Sequence, residues 1–205
     1  LTDEGDLKDY LGVRIIRHPD GSAELVQPRM IDRCLQIVGI PTRDTGRDTK
    51  VKTHDTPAET RPILHRDANG QPRSEQWNYR AAIGALTYLQ AMTRPELAYS
   101  VHQCARFCND PKLSHEKAVK RICRYIKATQ DQGIIYRPDL SKGFECYVDA
   151  DWAGNWNKEQ ATDPSCSYSR TGYLISYAGC PIMWGSKLQS LIALSTAEAE
   201  IIALS

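Results

Sequence analysis

Long apolar runs are missing from this sequence. No stretch approaches the roughly 18 consecutive apolar residues that a membrane-spanning helix needs, and the N-terminus lacks the apolar segment that directs secretion, so a membrane is not among the expected partners. Missing too is any C-x-x-C pair. The seven cysteines stand at 34, 104, 108, 123, 146, 166 and 180; an odd number at irregular spacing argues against a disulfide framework and predicts an intracellular, reducing compartment. Nor is there an excess of one charge. Lys and Arg number 26 against 25 Asp and Glu, so any claim to a nucleic-acid partner rests on local charge. What is present is a chain of 205 residues, 41% of them hydrophobic, enough for one domain or two small ones with a real core. It begins without Met and ends inside a helical pattern with no Gly or Pro stop, and both ends read as cuts.

The most informative stretch is Phe144 to Gly154, F-E-C-Y-V-D-A-D-W-A-G, read with Ala193 to Leu204, A-L-S-T-A-E-A-E-I-I-A-L. In the first, Tyr147, Asp149 and Asp151 alternate with Cys146, Val148 and Ala150, the period of a strand, so both carboxylates leave one face. Asp is depleted in strands, and two like charges about 7 Å apart repel unless a cation or solvent screens them. In the second, Ser195 or Thr196 caps a helix whose start carries Glu198 and Glu200, where the macrodipole favours acids. Taken singly, Glu200 reads as a dipole-stabilising surface acid and Asp149 as a strand-end residue. Taken together they suggest half of a metal site.

Along the chain, Asp6 to Arg17 is expected as a strand, His18 to Ser22 as a turn and Ala23 to Gln27 as the returning strand, followed by a short one-sided helix from Pro28 that stops at Gly39 and Pro41. Residues 42–74, polar and rich in proline, read as a mobile or extended linker, its His54 and His65 as solvated. Gln76 to Thr93 and Pro95 to Phe107 carry apolar residues at helical spacing. Cys104 and Cys108 share a face with Val101 and read as core cysteines rather than zinc ligands. In Ser114 to Gln130, S-H-E-K-A-V-K-R-I-C-R-Y-I-K-A-T-Q, Ser114 is the expected cap and Val119, Ile122, Cys123 and Ile126 the buried face. Lys117, Lys120, Arg121, Arg124 and Lys127 occupy the other side, with no acid expected among them. Pattern alone supports phosphate contact and a solvated face equally.

Four ordered blocks, Y-V-D-A-D-W-A-G, S-R-T-G-Y-L-I, P-I-M-W-G-S-K-L-Q and I-A-L-S-T-A-E-A-E, resemble the ribonuclease H domain of copia-type LTR-retrotransposon polyproteins. Tyr79 to Val101 and His115 to Thr129 resemble the region between the polymerase palm and ribonuclease H in the same family, and the resemblance covers nearly the whole chain apart from the linker. It implies an α+β fold: a primer-grip-like hairpin with a thumb-like helix over 1–41, the linker 42–74, a helical connection region over 75–136, and a partial ribonuclease H-like domain over 143–205, an antiparallel β-meander followed by a helix. It further implies that Asp149 and Glu200 bind Mg²⁺ (or Mn²⁺) in a two-metal site, with Asp151 a candidate outer ligand. It tips Lys117, Lys120, Arg121, Arg124 and Lys127 toward phosphate contact with an RNA–DNA hybrid or primer-template. The remainder of the polyprotein is the other implied partner. The family's Y-x-D-D and its later ribonuclease H acids do not occur in this chain, and the loop from Asn155 to Ser169 is longer than the family's usual connection. The isolated chain is therefore expected to be inactive, as a fragment of a reverse transcriptase/ribonuclease H. A non-catalytic hybrid-binding module and a degenerate genomic remnant are the other readings.

Overall fold

A computed structural model describes residues 8–42, 52–158, 161 and 163–205. It is an α+β architecture, with two antiparallel sheets and five α-helices among the described residues.

The N-terminal part opens with β1 (Asp9–Tyr10), β2 (Val13–Arg17) and β3 (Ala23–Val26). The single strand expected from Asp6 to Arg17 is interrupted: Leu11 and Gly12 turn the chain with φ of 49° and 78°, and β1 folds back on β2. Asp6 itself lies outside the described residues. The D-G turn forms as expected, with Gly21 at φ 81° and the Asp20 carboxylate accepting from the Ser22 amide at 3.0 Å and hydroxyl at 2.6 Å. The helix α1 (Pro28–Ile37) follows, with Pro at its first position, where a missing N–H costs nothing. Gly39, at φ 73°, ends the turn after it.

A strand that periodicity did not reveal completes this sheet. Within the region expected to be helical, β4 (Ile134–Tyr136) pairs with β3, Leu25 opposite Ile134, in the order β1-β2-β3-β4. Three residues are too few for period-2 alternation to show. Gly133 makes the approach possible, since a Cβ there would sit 2.2 Å from the Leu25 carbonyl oxygen.

The helical part consists of α2 (Tyr79–Met92), a 3₁₀ turn at Pro95–Leu97, α3 (Ala98–Ala105) and α4 (Leu113–Ala128). Asn78 caps α2, its side-chain oxygen accepting from the Ala81 amide at 3.0 Å. The cap expected of Ser114 is corrected: the N-cap of α4 is Lys112, two residues earlier, and the Ser114 hydroxyl donates instead to the Asp67 carboxylate at 2.5 Å. The apolar stripes of α1, α2, α3 and α4 meet in one core around Leu35, Leu86, Leu89, Val101, Val119, Ile122 and Ile126. Arg94, 1% exposed, ties that bundle together. Its guanidinium donates to Glu96 and to both the carbonyl and hydroxyl of Thr129 at the end of α4.

Residues 52–74 hold no helix or strand, only an isolated bridge between Pro72 and Lys112. They are nevertheless not a loose connection. Ser74 binds Glu116, Asp67 binds Ser114, and the His65 carbonyl accepts from the His115 ring, so the segment lies as a strap along α4. His54 and His65 are half-buried rather than solvated.

The C-terminal part is the expected meander, β5 (Phe144–Asp151), β6 (Arg170–Tyr177) and β7 (Cys180–Leu188) in that order, then α5 (Thr196–Leu204). The two-residue link Ala178-Gly179, with φ of 52° and 75°, is the hairpin turn whose twist matches the strands it joins. No helix among the described residues is long and apolar enough to cross a membrane.

Leu86 is fully buried where α2 enters the core. Truncating it in Leu86→Ala leaves a cavity as well as lost transfer energy, and should lower unfolding stability by about 2–5 kcal/mol, read as a lower urea midpoint with an unchanged slope.

Candidate functional site

Alternation along β5 and its register with β6 decide where the acids point. Asp149 lies opposite Gly172 and Asp151 opposite Arg170, while Ser186 and Leu188 of β7 continue the same rows. Directly paired residues share a face, so Asp149, Asp151, Arg170 and Trp184 all leave one side of the meander. That side is turned to the helical bundle: Arg170 Nη1 donates to His102 Nδ1 of α3 at 3.0 Å, and Trp184 Nε1 donates to the Gln90 carbonyl of α2 at 2.8 Å. Thr171 points the other way, and Gln189 Nε2 joins its hydroxyl (3.2 Å) to the Ala199 carbonyl of α5 (2.8 Å). The helix α5 therefore covers the reverse face.

Asp149 and Asp151 are both exposed on β5, which is an edge strand. The Asp151 carboxylate is folded against the turn that follows, so close that a Cβ on Gly154 would fall 1.8 Å from Oδ2. At the start of α5 the cap is Ser195, whose hydroxyl accepts from the Glu198 amide at 3.1 Å. Glu198 completes a reciprocal cap by accepting from the Leu194 amide at 2.7 Å. Glu200 is exposed, next to the fully buried Ala199 that faces the sheet. Asp149 leaves the face turned to α3, and Glu200 is exposed on a helix packed on the reverse face. Their oxygens are the right type for Mg²⁺, but two carboxylates alone fall short of a two-ion site, and no group of three or more His, Cys, Asp or Glu able to hold a metal occurs among the described residues.

The cations of α4 are distributed differently from the even spread expected. Lys117 is exposed. Lys120 Nζ pairs with Glu116 at 2.7 Å, an i,i+4 pair across one helical turn, so the expectation of a face without acid is corrected. Glu116 is buried; burial opposes its charge, but Lys120 and the Ser74 hydrogen bonds outweigh it and hold the carboxyl pKa below its ordinary value. Arg121 is clasped by the strap, to the Thr56 carbonyl (3.2 Å), the Thr56 hydroxyl (2.9 Å) and Glu59 (3.0 Å). Lys127 donates to the Thr42 carbonyl at 2.7 Å. Arg124 is half-buried.

Two residues to which sequence reasoning assigned no role stand at the junction of meander and bundle. Arg170 is 5% exposed, and its Nε and Nη2 have no hydrogen-bond partner. Burial lowers its pKa to about 10. Because Arg170 Nη1 donates to Nδ1 of His102, that imidazole is neutral in its Nε2–H form. Burial, then Arg170 and Arg106, push the His102 pKa down to about 4. No periodicity marks either residue, since the contact spans 68 positions. Trp152 is 46% exposed, with its indole N–H on the Ala193 carbonyl.

The His102 shift has a definite sign. A base whose folded pKa lies below its unfolded value resists protonation in the native state, so stability is full above about 6.5 and is lost as pH falls toward about 4. Buried His115 is shifted the same way, chiefly by burial. Denaturation series from pH 7 to pH 4 should therefore show falling stability, and His102→Gln should lose less over that window than the unaltered chain.

No protein-family model and no solved structure matches the chain. Known proteins do. The retrovirus-related Pol polyprotein from transposon RE2 of Arabidopsis thaliana is 32% identical over 202 residues, covering 98% of this chain and 12% of that protein. The corresponding polyprotein from transposon TNT 1-94 of Nicotiana tabacum is 32% identical over 211 residues, 99% of this chain and 14% of its own length. A protein called secreted RxLR effector protein 161, from Plasmopara viticola, is 38% identical over 127 residues, 62% of this chain and 84% of that protein. The chain thus spans about an eighth of the polyproteins it matches, while nearly all of its own length is similar to them. It belongs to the copia-type retrotransposon Pol polyproteins.

Proposed function

We propose that this chain is the part of a retroelement polyprotein that links the end of reverse transcriptase to ribonuclease H, and that its parent copies RNA into DNA and cleaves the RNA strand of the hybrid. The observation that carries this reading is the order of elements in a Pol-family chain: a helical bundle with cations on α4, then a three-stranded meander whose first strand holds Asp149, then the capped helix α5. Asp149 and Glu200, with Asp151 beside them, serve Mg²⁺ (or Mn²⁺) binding only together with further acids of the polyprotein, and the 205-residue chain alone is inactive. Lys117 and Arg124 of α4, without an ion-pair partner among the described residues, favour a second reading, a hybrid-binding module without catalysis.

Hydrolysis of a labelled RNA–DNA hybrid in Mg²⁺ or Mn²⁺ separates the two. The chain alone should not cleave, a longer polyprotein that continues past residue 205 should, and Asp149→Asn in the longer protein should abolish cleavage. Cleavage that survives Asp149→Asn would remove Asp149 from the site. A longer protein that binds hybrid yet never cleaves it leaves the binding-module reading.

The cations of α4 are assigned to the phosphates of that nucleic acid. Among the described residues, Lys117 and Arg124 have no ion-pair partner, while Lys120 and Arg121 are paired within the chain. If the strap stays in place, the slope of log affinity against log salt on a duplex should be about −1.8, from two phosphates neutralised; displacement of the strap, which frees Arg121 as well, should bring it to about −2.7. Titrations by fluorescence anisotropy at several salt concentrations decide which applies, and a slope unchanged in Lys117→Gln/Arg124→Gln would show that α4 does not touch phosphate.

A further inference from the structure

Between the strap and helices α3 and α4 lies a cavity of about 580 Å³, within the roughly 300–1,000 Å³ range of small-ligand sites. Its floor is apolar, with Ala118 and Ile122 of α4 beside Cys104 of α3, and the wall that faces them comes from Pro57, Pro62 and Ile63 of the strap. Its rim is cationic. Lys117, Arg121 and Arg124 all border it, and at i, i+4 and i+7 they form one stripe, with Lys117 and Arg124 about 10.5 Å apart by helical rise. Glu59 neutralises Arg121, whereas Lys117 and Arg124 have no ion-pair partner among the described residues. The resulting field reaches the cavity wall: burial first, then Arg121 and Arg124, hold the His54 pKa below its ordinary value.

Each half of this arrangement excludes a class of ligand. A bare inorganic anion would use the cationic rim but leave the apolar floor and the strap wall unfilled, gaining nothing from burial there. A neutral hydrocarbon would leave the two unpaired cations unused. The geometry points to a binding site for a flat, apolar-bodied organic anion, its body held between Ile122 and Pro62 and its phosphate, sulfonate or carboxylate on Lys117 and Arg124. A nucleotide has this chemistry, either as a free molecule or as a unit of a strand that lies along α4. The site stands on the cavity and its rim alone, so failure of hybrid cleavage leaves it untouched.

The probe is 8-anilinonaphthalene-1-sulfonate, an aromatic sulfonate whose fluorescence rises in apolar surroundings, with neutral N-phenyl-1-naphthylamine as its uncharged counterpart. The full chain should bind the sulfonate at one equivalent. Lys117→Gln/Arg124→Gln, both at the rim and outside the core, should weaken that binding about tenfold and leave the neutral dye unaffected, and Ala118→Trp, which fills the floor, should abolish both. Equal sulfonate affinity in the double variant and the unaltered chain, with unchanged circular dichroism, overturns the proposal. So does undiminished binding of both dyes to Ala118→Trp. Competition distinguishes the source: displacement of the dye by adenosine monophosphate assigns a free nucleotide, and displacement only by an oligodeoxyadenylate at equal phosphate concentration assigns a strand. Displacement by neither overturns the assignment to a phosphate-bearing ligand.

Discussion

The structure depends first on how α4 is oriented. Val119, Ile122, Cys123 and Ile126 are each no more than 1% exposed, and burying aliphatic side chains of that size is worth about 1.5–3 kcal/mol apiece. The ion pairs on the other side are worth about 0–1 kcal/mol each where they are exposed. Packing therefore sets the rotation of the helix, and the charges take the surface that remains. Everything on that surface follows: the strap docks there because Arg121 and Glu116 are presented there, and the cavity exists because the strap bridges the helices instead of packing flat on them.

Two buried arginines show how differently one side chain can be accommodated. Arg94 has its guanidinium satisfied by Glu96 and Thr129 and stacks over Tyr125, with its carbon 5.6 Å from the ring centre. It joins the α2–α3 corner to the end of α4. Arg170 also sits over a ring, Tyr99 at 5.0 Å, but it holds only His102 and Ser186 and leaves two nitrogens unsatisfied. A buried donor without an acceptor costs about 1–3 kcal/mol, more when charged. The seam between bundle and meander thus carries a cost at Arg170 that the Arg94 corner does not.

What could be read from residues alone was what local patterning controls. The Asp20-Gly21 turn, the Pro28 helix start, the stripe of α4 and the meander with its Ala178-Gly179 link all depend on residues a few positions apart, and each forms. Strand β4 and the strap were not legible. Three residues cannot display a period, and a polar, proline-rich segment gives no sign that Glu59 and Thr56 will find Arg121 some 62 and 65 positions away. The Glu116–Lys120 pair was within reach, since its spacing is visible in the sequence. For the acids, alternation correctly put Asp149 and Asp151 on one face. Which face α5 would cover is decided by Gln189 and the turn before the helix, and no rule of spacing carries that information.

The thiols make the molecule its own reporter. Of the seven cysteines, Cys34, Cys104, Cys123, Cys166 and Cys180 are buried and Cys108 is half-buried, while Cys146 alone is exposed. Burial pushes the thiols of Cys34 and Cys104 up to about 12 and raises that of Cys123 well above its ordinary value, which leaves almost no reactive thiolate. An alkylating dye added to the native protein would thus mark one atom in the middle of β5, three residues from Asp149. The silent thiols of the bundle would be modified only when it opens, so a second, slower wave of labelling would time the unfolding of the bundle separately from events at the meander.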